Sequence, residues 1–154
     1  MLKQAKYALL SLVMLWSITG SSQSYFANGD ARAIGNQCYE LTPSQNFKLG
    51  SVWYAKKLDL LKDIDLEFYL NFGNVDANGA DGMVFVLQTA GNRAIGESGG
   101  GIGFAGFSPS LGVEFDTWQN TDYGDPSYDH MAIFRDGIVD HTSTNELTSE
   151  VPII

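Results

Sequence analysis

The sequence predicts an all-β fold, an antiparallel β-sandwich, on three observations. Short runs of strand-forming residues recur along the chain, and segments rich in Gly, Asn, Asp, Pro and Ser separate them. After the first 24 residues, no run repeats apolar side chains at helical spacing. Short strands joined by such turns are typical of sandwiches. A chain of 154 residues is long enough for one domain with a sizeable core.

The first 24 residues are interpreted as a secretory signal peptide. Lys3 and Lys6 precede an apolar stretch at residues 7–16, and small polar residues follow. The apolar stretch is shorter than the roughly 20 residues that a membrane-spanning helix needs. We therefore expect residues 1–24 to be removed and residues 25–154 to form the domain. The mature protein is then secreted or at the cell surface, without membrane insertion.

The charge balance of the chain is strongly acidic. It has 18 Asp and Glu residues against 9 Lys and Arg, a formal net charge of -9. Such a charge repels phosphate backbones, so nucleic acid is not an expected partner. The acid excess fits either a solvated surface or carboxylates that hold cations.

The N-terminal part of the expected domain contains two candidate strands. Residues 25–36 carry turn formers without periodicity, and we expect a leader or a loop there. Residues 38–41 and 51–60 contain β-forming side chains and predict strands. Cys38 is the only cysteine, which excludes an internal disulfide. Its thiol is expected either to be buried as a small apolar group or to have a partner outside this sequence.

The middle of the chain contains two longer candidate strands. Residues 63–72 alternate apolar with polar side chains and form the clearest strand pattern, with one face on the core and the other in water. Residues 83–87 are apolar on both faces and predict a central strand. A turn-rich segment, residues 73–82, separates them, and a glycine-rich loop, residues 89–103, follows.

Residues 113–133, VEFDTWQNTDYGDPSYDHMAI, carry the densest group of polar functional side chains. The segment begins as an alternating strand, which places Glu114 and Asp116 on one face. The Asn-, Asp-, Gly- and Pro-rich loop that follows can bring Asp125 and His130 back toward that face. Since two neighbouring carboxylates repel each other unless a cation lies between them, the segment predicts a metal site.

The ligand types in this segment suit two kinds of cation. Asp116, Asp125 and the Asn120 side chain, with a loop carbonyl, offer the hard oxygens that calcium takes. Glu114 and His130, with the same two aspartates, suit a smaller octahedral ion such as manganese. The two aspartates can therefore bridge two ions.

Other polar and aromatic residues have simpler interpretations. Nothing in the sequence around His141 indicates a ligand, so we expect an exposed or capped histidine. Asp122 and Asp129 are expected to be solvated or turn-forming loop residues. Trp53 and Tyr54 are expected to pack in the core or across strands.

At these residues the chain resembles the legume-type (L-type) lectins. The resemblance rests on VEFDTWQN, GDPSYDH and MAI within residues 113–133, on ADGMVFVL at residues 80–87 and on GGGIGF at residues 99–104. It covers nearly all of residues 25–145, in the manner of the secreted bacterial members. It implies a jelly-roll, concanavalin-like sandwich that acts as a calcium- and manganese-dependent carbohydrate-binding module without catalysis. The implied partner is a carbohydrate or glycoconjugate.

The resemblance also implies the residues of each site. Those implied to bind the transition metal, manganese or another octahedral divalent ion, are Glu114, Asp116, Asp125 and His130. Those implied to bind calcium are Asp116, Asn120, Asp125 and the carbonyl of Trp118. Those implied to bind the sugar are Asp81, Gly100 or Gly101, Asn120 and the ring of Trp118. A cis peptide bond between Ala80 and Asp81 is implied as well.

Two other functions stay open on the residues. Glycoside hydrolases of related sandwich fold carry two catalytic acids, and Glu114 with Asp116 begins their strand pattern; Trp118 and Gln119 then stand where the second glutamate is expected. Alternatively, the ions are purely structural in an adhesion domain.

The resemblance also implies a truncated chain, since domains of this family are considerably longer. The last strands and the loop that selects the sugar would then follow Ile154, and the sandwich would be incomplete. Further domains in a full-length chain are also expected. The identity of the sugar does not follow from these residues.

Overall fold

The computed structural model describes residues 24–35, 37–74 and 79–153, and its regular structure there is all β with two short 3-10 turns. The strands are β1 (Tyr25–Gly29), β2 (Arg32–Gly35), β3 (Cys38–Glu40), β4 (Gly50–Tyr54), β5 (Gly82–Gln88), β6 (Ser110–Asp116), β7 (His130–Arg135) and β8 (Val151–Pro152). The 3-10 turns span Gly99–Gly101 and Thr121–Tyr123. In these ranges no helix has the length and apolarity of a membrane span. The expected signal peptide, except for its last residue, lies outside them.

The described strands form three antiparallel sheets, which confirms the predicted fold class. β1 pairs with β4, β2 pairs with β3, and β5, β6, β7 and β8 form a four-stranded sheet in that order. In the larger sheet, Asp116 at the end of β6 lies opposite Gly82 of β5 and His130 of β7. This register gathers the end of β6 and the starts of β5 and β7 at one end of the sheet, where the site lies.

The core lies against one face of the four-stranded sheet. Its buried apolar residues are Phe104, Phe107, Ala132, Phe134 and Val139. Trp53 of β4 packs against this cluster, with its ring centroid 5.9 Å from that of Phe107. Gly112 of β6 lets the Phe104 ring approach, because a Cβ there would lie 2.8 Å from Phe104 Cζ. Trp53 of the β1–β4 sheet and Ala132 and Phe134 of the larger sheet thus belong to one packed core.

The expectation of a loop at residues 25–36 is wrong, since β1 and β2 lie there. β1 is paired by β4, which follows it by about 20 residues, with Phe26 opposite Trp53. Asn28 adds side-chain bonds from Nδ2 to Ser51 Oγ at 3.3 Å and to the Asn92 carbonyl at 3.0 Å. These non-local contacts outweigh the turn propensity of the segment.

Two nearby expectations need smaller corrections. The strand predicted at residues 51–60 is β4, which ends at Tyr54, while the strand predicted at residues 38–41 is confirmed as β3. Cys38 is exposed, so a buried thiol is ruled out. Trp53 lies against the core, as expected.

The clearest strand pattern, residues 63–72, does not form a strand. Among the described residues this extended segment pairs with no other, and its apolar side chains remain partly exposed. Its contacts are with the face of the four-stranded sheet away from the core: Phe68 stacks on Phe85 at 5.3 Å, and Phe72 lies 6.5 Å from Phe115. Alternation favours an extended conformation, but a strand also needs a backbone partner.

The apolar run at residues 83–87 is in β5, but β5 is not central. It lies at the edge of the four-stranded sheet, next to β6. One of its faces packs on the core through Val84 and Val86, and Phe68 covers Phe85 on the other. Contact on both faces therefore accounts for the apolar run without a second neighbouring strand.

Candidate metal centre

The inward face of β6 carries two buried carboxylates. Glu114 is 2% exposed and Asp116 is 4% exposed, while Val113 and Phe115 between and beside them face the other way. The prediction that both acids share one face is confirmed. Their placement in the interior is costly unless they are paired, protonated or bound to a cation.

The loop after β6 folds back on these acids through its own backbone. The Trp118 N–H donates to Asp116 Oδ1 at 2.7 Å, and the Asn120 N–H donates to Asp125 Oδ2 at 2.6 Å. The Gln119 side chain donates to the Asp125 carbonyl at 3.2 Å. Gly124, with φ of +76°, ends the 3-10 turn in the left-handed conformation that favours glycine. Asp125 is thereby buried beside the strand, as the loop sequence predicts.

Two imidazoles meet the carboxylates. His130 Nε2 lies 3.5 Å from Glu114 Oε1, and His141 Nε2 lies 3.2 Å from the same atom. The two Nε2 atoms are 3.0 Å apart. His141 Nε2 also lies 3.7 Å from Asp125 Oδ1.

The expectation that His141 is exposed or capped is therefore wrong, because its side chain is only 2% exposed. The His141 N–H donates to the Tyr123 carbonyl at 2.9 Å, which ties the segment after β7 to the loop after β6. Its ring packs edge-on against Phe134 at 5.0 Å. No local pattern indicates this position; the one available signal is that His141, the second of the two histidines, follows closely after β7, which begins at His130.

The outer nitrogens of the two imidazoles also have oxygen neighbours. His130 Nδ1 lies 3.2 Å from the Tyr128 carbonyl. His141 Nδ1 lies 3.5 Å from Glu146 Oε1 and 3.4 Å from Glu150 Oε1. These two glutamates are further residues that the sequence analysis did not connect with the site.

Burial and mutual repulsion perturb the acids. Burial raises the pKa of Asp116 to about 7, with smaller contributions from Asp125 and Glu114, although the Trp118 N–H opposes the rise. Burial likewise raises the pKa of Asp125, against its bond from Asn120. Carboxyl groups with such pKa values hold protons that a divalent cation would displace.

The imidazoles respond to the same charges. Burial alone would lower the pKa of His141, but Glu114, Glu146 and Asp125 raise it to about 9. For His130, Glu114 and Asp116 outweigh burial and the pKa is raised. The centre therefore attracts positive charge.

The donor set fits a divalent cation. Glu114, His130 and His141 each offer one ligand atom, and these atoms lie within 4.8 Å of one another. Glu114 Oε1 and Asn120 Oδ1 are buried without a hydrogen-bond partner. Buried oxygens without a partner are otherwise rare, and bound ions are one established reason for them. Asp122 and Asp129 stay exposed, as expected.

Asp81 reaches the edge of this centre at the start of β5. The peptide bond between Ala80 and Asp81 is cis, as predicted. The Asp81 carbonyl accepts bonds from the Thr117 N–H at 2.9 Å and the Thr117 hydroxyl at 3.2 Å. The side chain is half-buried, and burial raises the pKa of its carboxyl. The backbone bond fixes Asp81 next to the first residue of the loop.

Gly100 lies directly against Asn120. A Cβ at Gly100 would stand 3.0 Å from Asn120 Cγ and 2.5 Å from Tyr123 Cε2. Gly101 is buried, and its N–H donates to the Ser98 carbonyl at 3.3 Å. The contact brings the glycine-rich loop and the loop after β6 together.

A depression of about 400 Å³ opens at this contact. Its lining residues are Gly100, Gln119, Asn120, Thr121, Asp122 and Tyr123. Asp81 and Trp118 do not line it, and the Trp118 side chain is exposed at the surface, 42% accessible to solvent. Of the predicted sugar residues, the structure thus brings Gly100 and Asn120 into one depression and leaves Asp81, Gly101 and Trp118 outside its lining.

Comparison with known proteins identifies related sequences. The family model of the legume lectin beta-barrel domain matches residues 16–152. The mannose-specific lectin CML-2 of Centrolobium microchaete is 29% identical over 138 residues, 72% of this chain and 55% of that protein. Lectin-4 of Griffonia simplicifolia is 35% identical over 89 residues, 50% of this chain and 36% of that lectin.

A further match lies outside the plant lectins. The pesticidal crystal protein Cry22Aa of Bacillus thuringiensis is 30% identical over 110 residues, 69% of this chain and 15% of that protein. The chain thus spans at most 55% of the length of these curated relatives.

Proposed function

Because this chain belongs to the legume lectin beta-barrel domain family, we propose that it is a non-catalytic carbohydrate-binding module that depends on calcium and a transition metal. The observation that carries the proposal is the position of the Asn120 side chain. Its side-chain oxygen is buried without a partner and its amide group lies against Gly100, at the rim of a depression. One amide can thus join a cation on one side to a sugar hydroxyl on the other.

Two ions would share the carboxylates beneath this amide. Glu114, Asp116, Asp125 and His130 would hold the transition metal. Calcium would be held by Asp116, Asn120, Asp125 and the Trp118 carbonyl. Bound ions would supply the positive charge that lets these buried acids ionise together.

The sugar would be bound by groups around the depression. The Asn120 amide nitrogen and the Gly100 N–H would donate to sugar hydroxyls, and the Asp81 carboxylate would accept from them. We favour Gly100 over Gly101, since the Gly101 N–H already donates within the chain. The exposed ring of Trp118 offers an apolar face for stacking on the sugar.

The relatives support a sugar as the ligand class. Two of them are named as lectins, and one of these two is named as mannose-specific. Hydrolysis is less well supported. A glycosidase needs two carboxyl groups that reach the glycosidic bond, whereas Glu114 is buried against two imidazoles.

A glycan array of the metal-loaded protein tests the proposal, with Asp81→Ala and Asp129→Asn as a matched pair. Asp81→Ala should abolish sugar binding, while Asp129→Asn, at an exposed loop position, should leave it unchanged. Both variants should keep the unfolding temperature of the parent protein within a few degrees, since neither side chain is in the core. Sugar binding that is independent of Asp81 would overturn the assigned site. Metal-dependent stability without any glycan binding would favour a structural adhesion domain instead.

We also propose that residues 1–24 are cleaved and that the protein is secreted or displayed at the cell surface. The support is the charge and apolar pattern of those residues. Intact-mass measurement of protein from the culture medium tests this proposal. A retained N-terminus, or protein found only inside the cell, would contradict it.

A further inference from the structure

We propose that His141 is a direct ligand of the transition-metal ion, so that two imidazoles and the Glu114 carboxylate hold the ion between them. This inference rests on the transition-metal site proposed above. It adds a residue that the family resemblance does not supply, since the resemblance implies one histidine, His130.

The distances between the three ligand atoms carry the inference. They are 3.0 Å between the two Nε2 atoms, 3.2 Å from His141 Nε2 to Glu114 Oε1 and 3.5 Å from His130 Nε2 to Glu114 Oε1. Nitrogen and oxygen ligands lie about 2.0 to 2.2 Å from a first-row divalent ion, so neighbouring ligands are about 3.0 Å apart in an octahedron and about 3.3 Å apart in a tetrahedron. The triangle thus has the size of one face of a metal coordination sphere.

The outer nitrogen of each imidazole has oxygen neighbours that favour a proton there. With Nδ1 of His130 donating to the Tyr128 carbonyl, its Nε2 presents a lone pair to the cluster. His141 Nδ1 faces the carboxylates of Glu146 and Glu150, which favour a proton on that nitrogen. Metal-binding histidines commonly have a carbonyl or a carboxylate at their second nitrogen.

The three ligand atoms lie in the interior of the protein. The side chains of Glu114, His130 and His141 are each 2% exposed. Glu114 Oε1 is buried without a hydrogen-bond partner. When both Nε2 atoms are unprotonated, two nitrogen lone pairs and a carboxylate oxygen at these separations repel one another, and one shared cation removes that repulsion.

A second imidazole changes which ions the site prefers. Imidazole suits zinc, copper, nickel and iron, whereas carboxylates and water suit manganese and magnesium. We therefore expect zinc or cobalt to bind here more tightly than manganese. Glu146 and Glu150 form an alternative cation position with the outer nitrogen of His141, but Glu150 is the more solvated partner, with 31% of its side chain exposed.

Metal titrations of the full chain test the inference. The protein is stripped with a chelator and titrated with Co²⁺ alone, which reports binding through visible absorption. Pulsed EPR after loading with one equivalent of Cu²⁺ alone then counts the coordinated imidazoles. The variants are His130→Gln, His141→Gln and the exposed control Asp129→Asn.

The expected result is two coordinated imidazoles in the parent protein and in Asp129→Asn, and one in either histidine variant. His141→Gln should weaken Co²⁺ binding about tenfold or more, since even the groups that orient a ligand contribute about 10- to 100-fold. The imidazole count of the parent protein needs no variant, so it decides the question even if His141→Gln does not fold.

Other outcomes separate this inference from the function it rests on. One imidazole in the parent protein, lost in His130→Gln and kept in His141→Gln, overturns the role of His141 but leaves the proposed metal site standing. One imidazole lost only in His141→Gln places the ion with Glu146 and Glu150 and also overturns the inference. If neither ion binds the parent protein, the transition-metal site itself fails.

Discussion

The backbone N–H of Asn120 donates to Oδ2 of Asp125 at 2.6 Å, so an aspartate implied as a ligand of both ions also holds the residue that lines the depression. The other oxygen of Asp125 lies 3.7 Å from His141 Nε2. The Asp125 side chain thus connects the cation centre to the proposed sugar contact. Loss of the metal ions should therefore weaken sugar binding.

Replacing Asp125 with asparagine should separate loop geometry from metal binding. The amide oxygen can still accept from the Asn120 N–H, but the charge that attracts the ions is lost. Ligand-bound stabilisation amounts to about 2.7 kcal/mol at a ligand concentration 100 times Kd. In thermal unfolding with saturating Ca²⁺ and Mn²⁺, we expect the parent protein to gain about this much free energy of unfolding. The Asp125→Asn variant should lose most of that gain. Asp129→Asn is the exposed control, and a full gain in Asp125→Asn would contradict the ligand assignment.

A methyl group at Gly100 should block the depression. Its Cβ would lie 2.5 Å from Tyr123 Cε2 and 3.0 Å from the Asn120 amide, so those side chains would have to shift. Overpacking of this kind costs about 1 to 3 kcal/mol. We expect Gly100→Ala to weaken sugar binding by roughly that amount, measured by calorimetry with the best glycan from the array. Partial rescue in Gly100→Ala with Tyr123→Ala would identify the ring contact as the cause, whereas unchanged affinity in Gly100→Ala would remove Gly100 from the site.

The stabilisation of the folded protein by bound metal ions should increase as the pH rises. In the metal-free protein the pKa of Asp116 is raised from 3.8 to about 7, so the folded state keeps a proton that the unfolded chain loses. Stability therefore falls between about pH 4 and about pH 7. His141, raised from 6.5 to about 9, continues the fall between these two values. Since bound ions replace these protons, the difference in unfolding temperature between metal-loaded and chelated protein should widen from pH 5 to pH 8. A constant or narrowing difference would contradict the assigned pKa directions.

Hydrogen exchange should distinguish residues 63–72 from the four-stranded sheet. Within the described residues this segment has no strand partner, whereas β6 is paired on both sides. Amides without a backbone acceptor exchange through small local fluctuations, and paired central amides require larger openings. Mass spectrometry should therefore show fast exchange in a peptide covering residues 63–72 and slow exchange in one covering β6. Equal protection of the two peptides would indicate a strand partner outside the described residues.

The sequence predicted the chemical type of the site, but it did not predict all of the residues that form it. The local pattern around Glu114 and Asp116 placed both acids on one face, because alternation in a strand depends only on neighbouring residues. Gly82 lies opposite Asp116, which brings Asp81, implied by the resemblance as a sugar residue, next to this loop. His141 was missed because its position depends on a contact with Tyr123 and a turn after β7, and neither leaves a periodic signal.

Strand pairing shows the same division between local and non-local information. By itself the sequence determined an all-β fold of the legume lectin family, the shared face of the two acids and the cis bond before Asp81, which correspond to local patterns or to motifs. Only the tertiary structure decided that residues 63–72 lack a partner, that β1 has one and that His141 joins Glu114 in the interior. The physical reason is that periodicity sets the direction of a side chain, whereas pairing and burial depend on which distant segment arrives beside it.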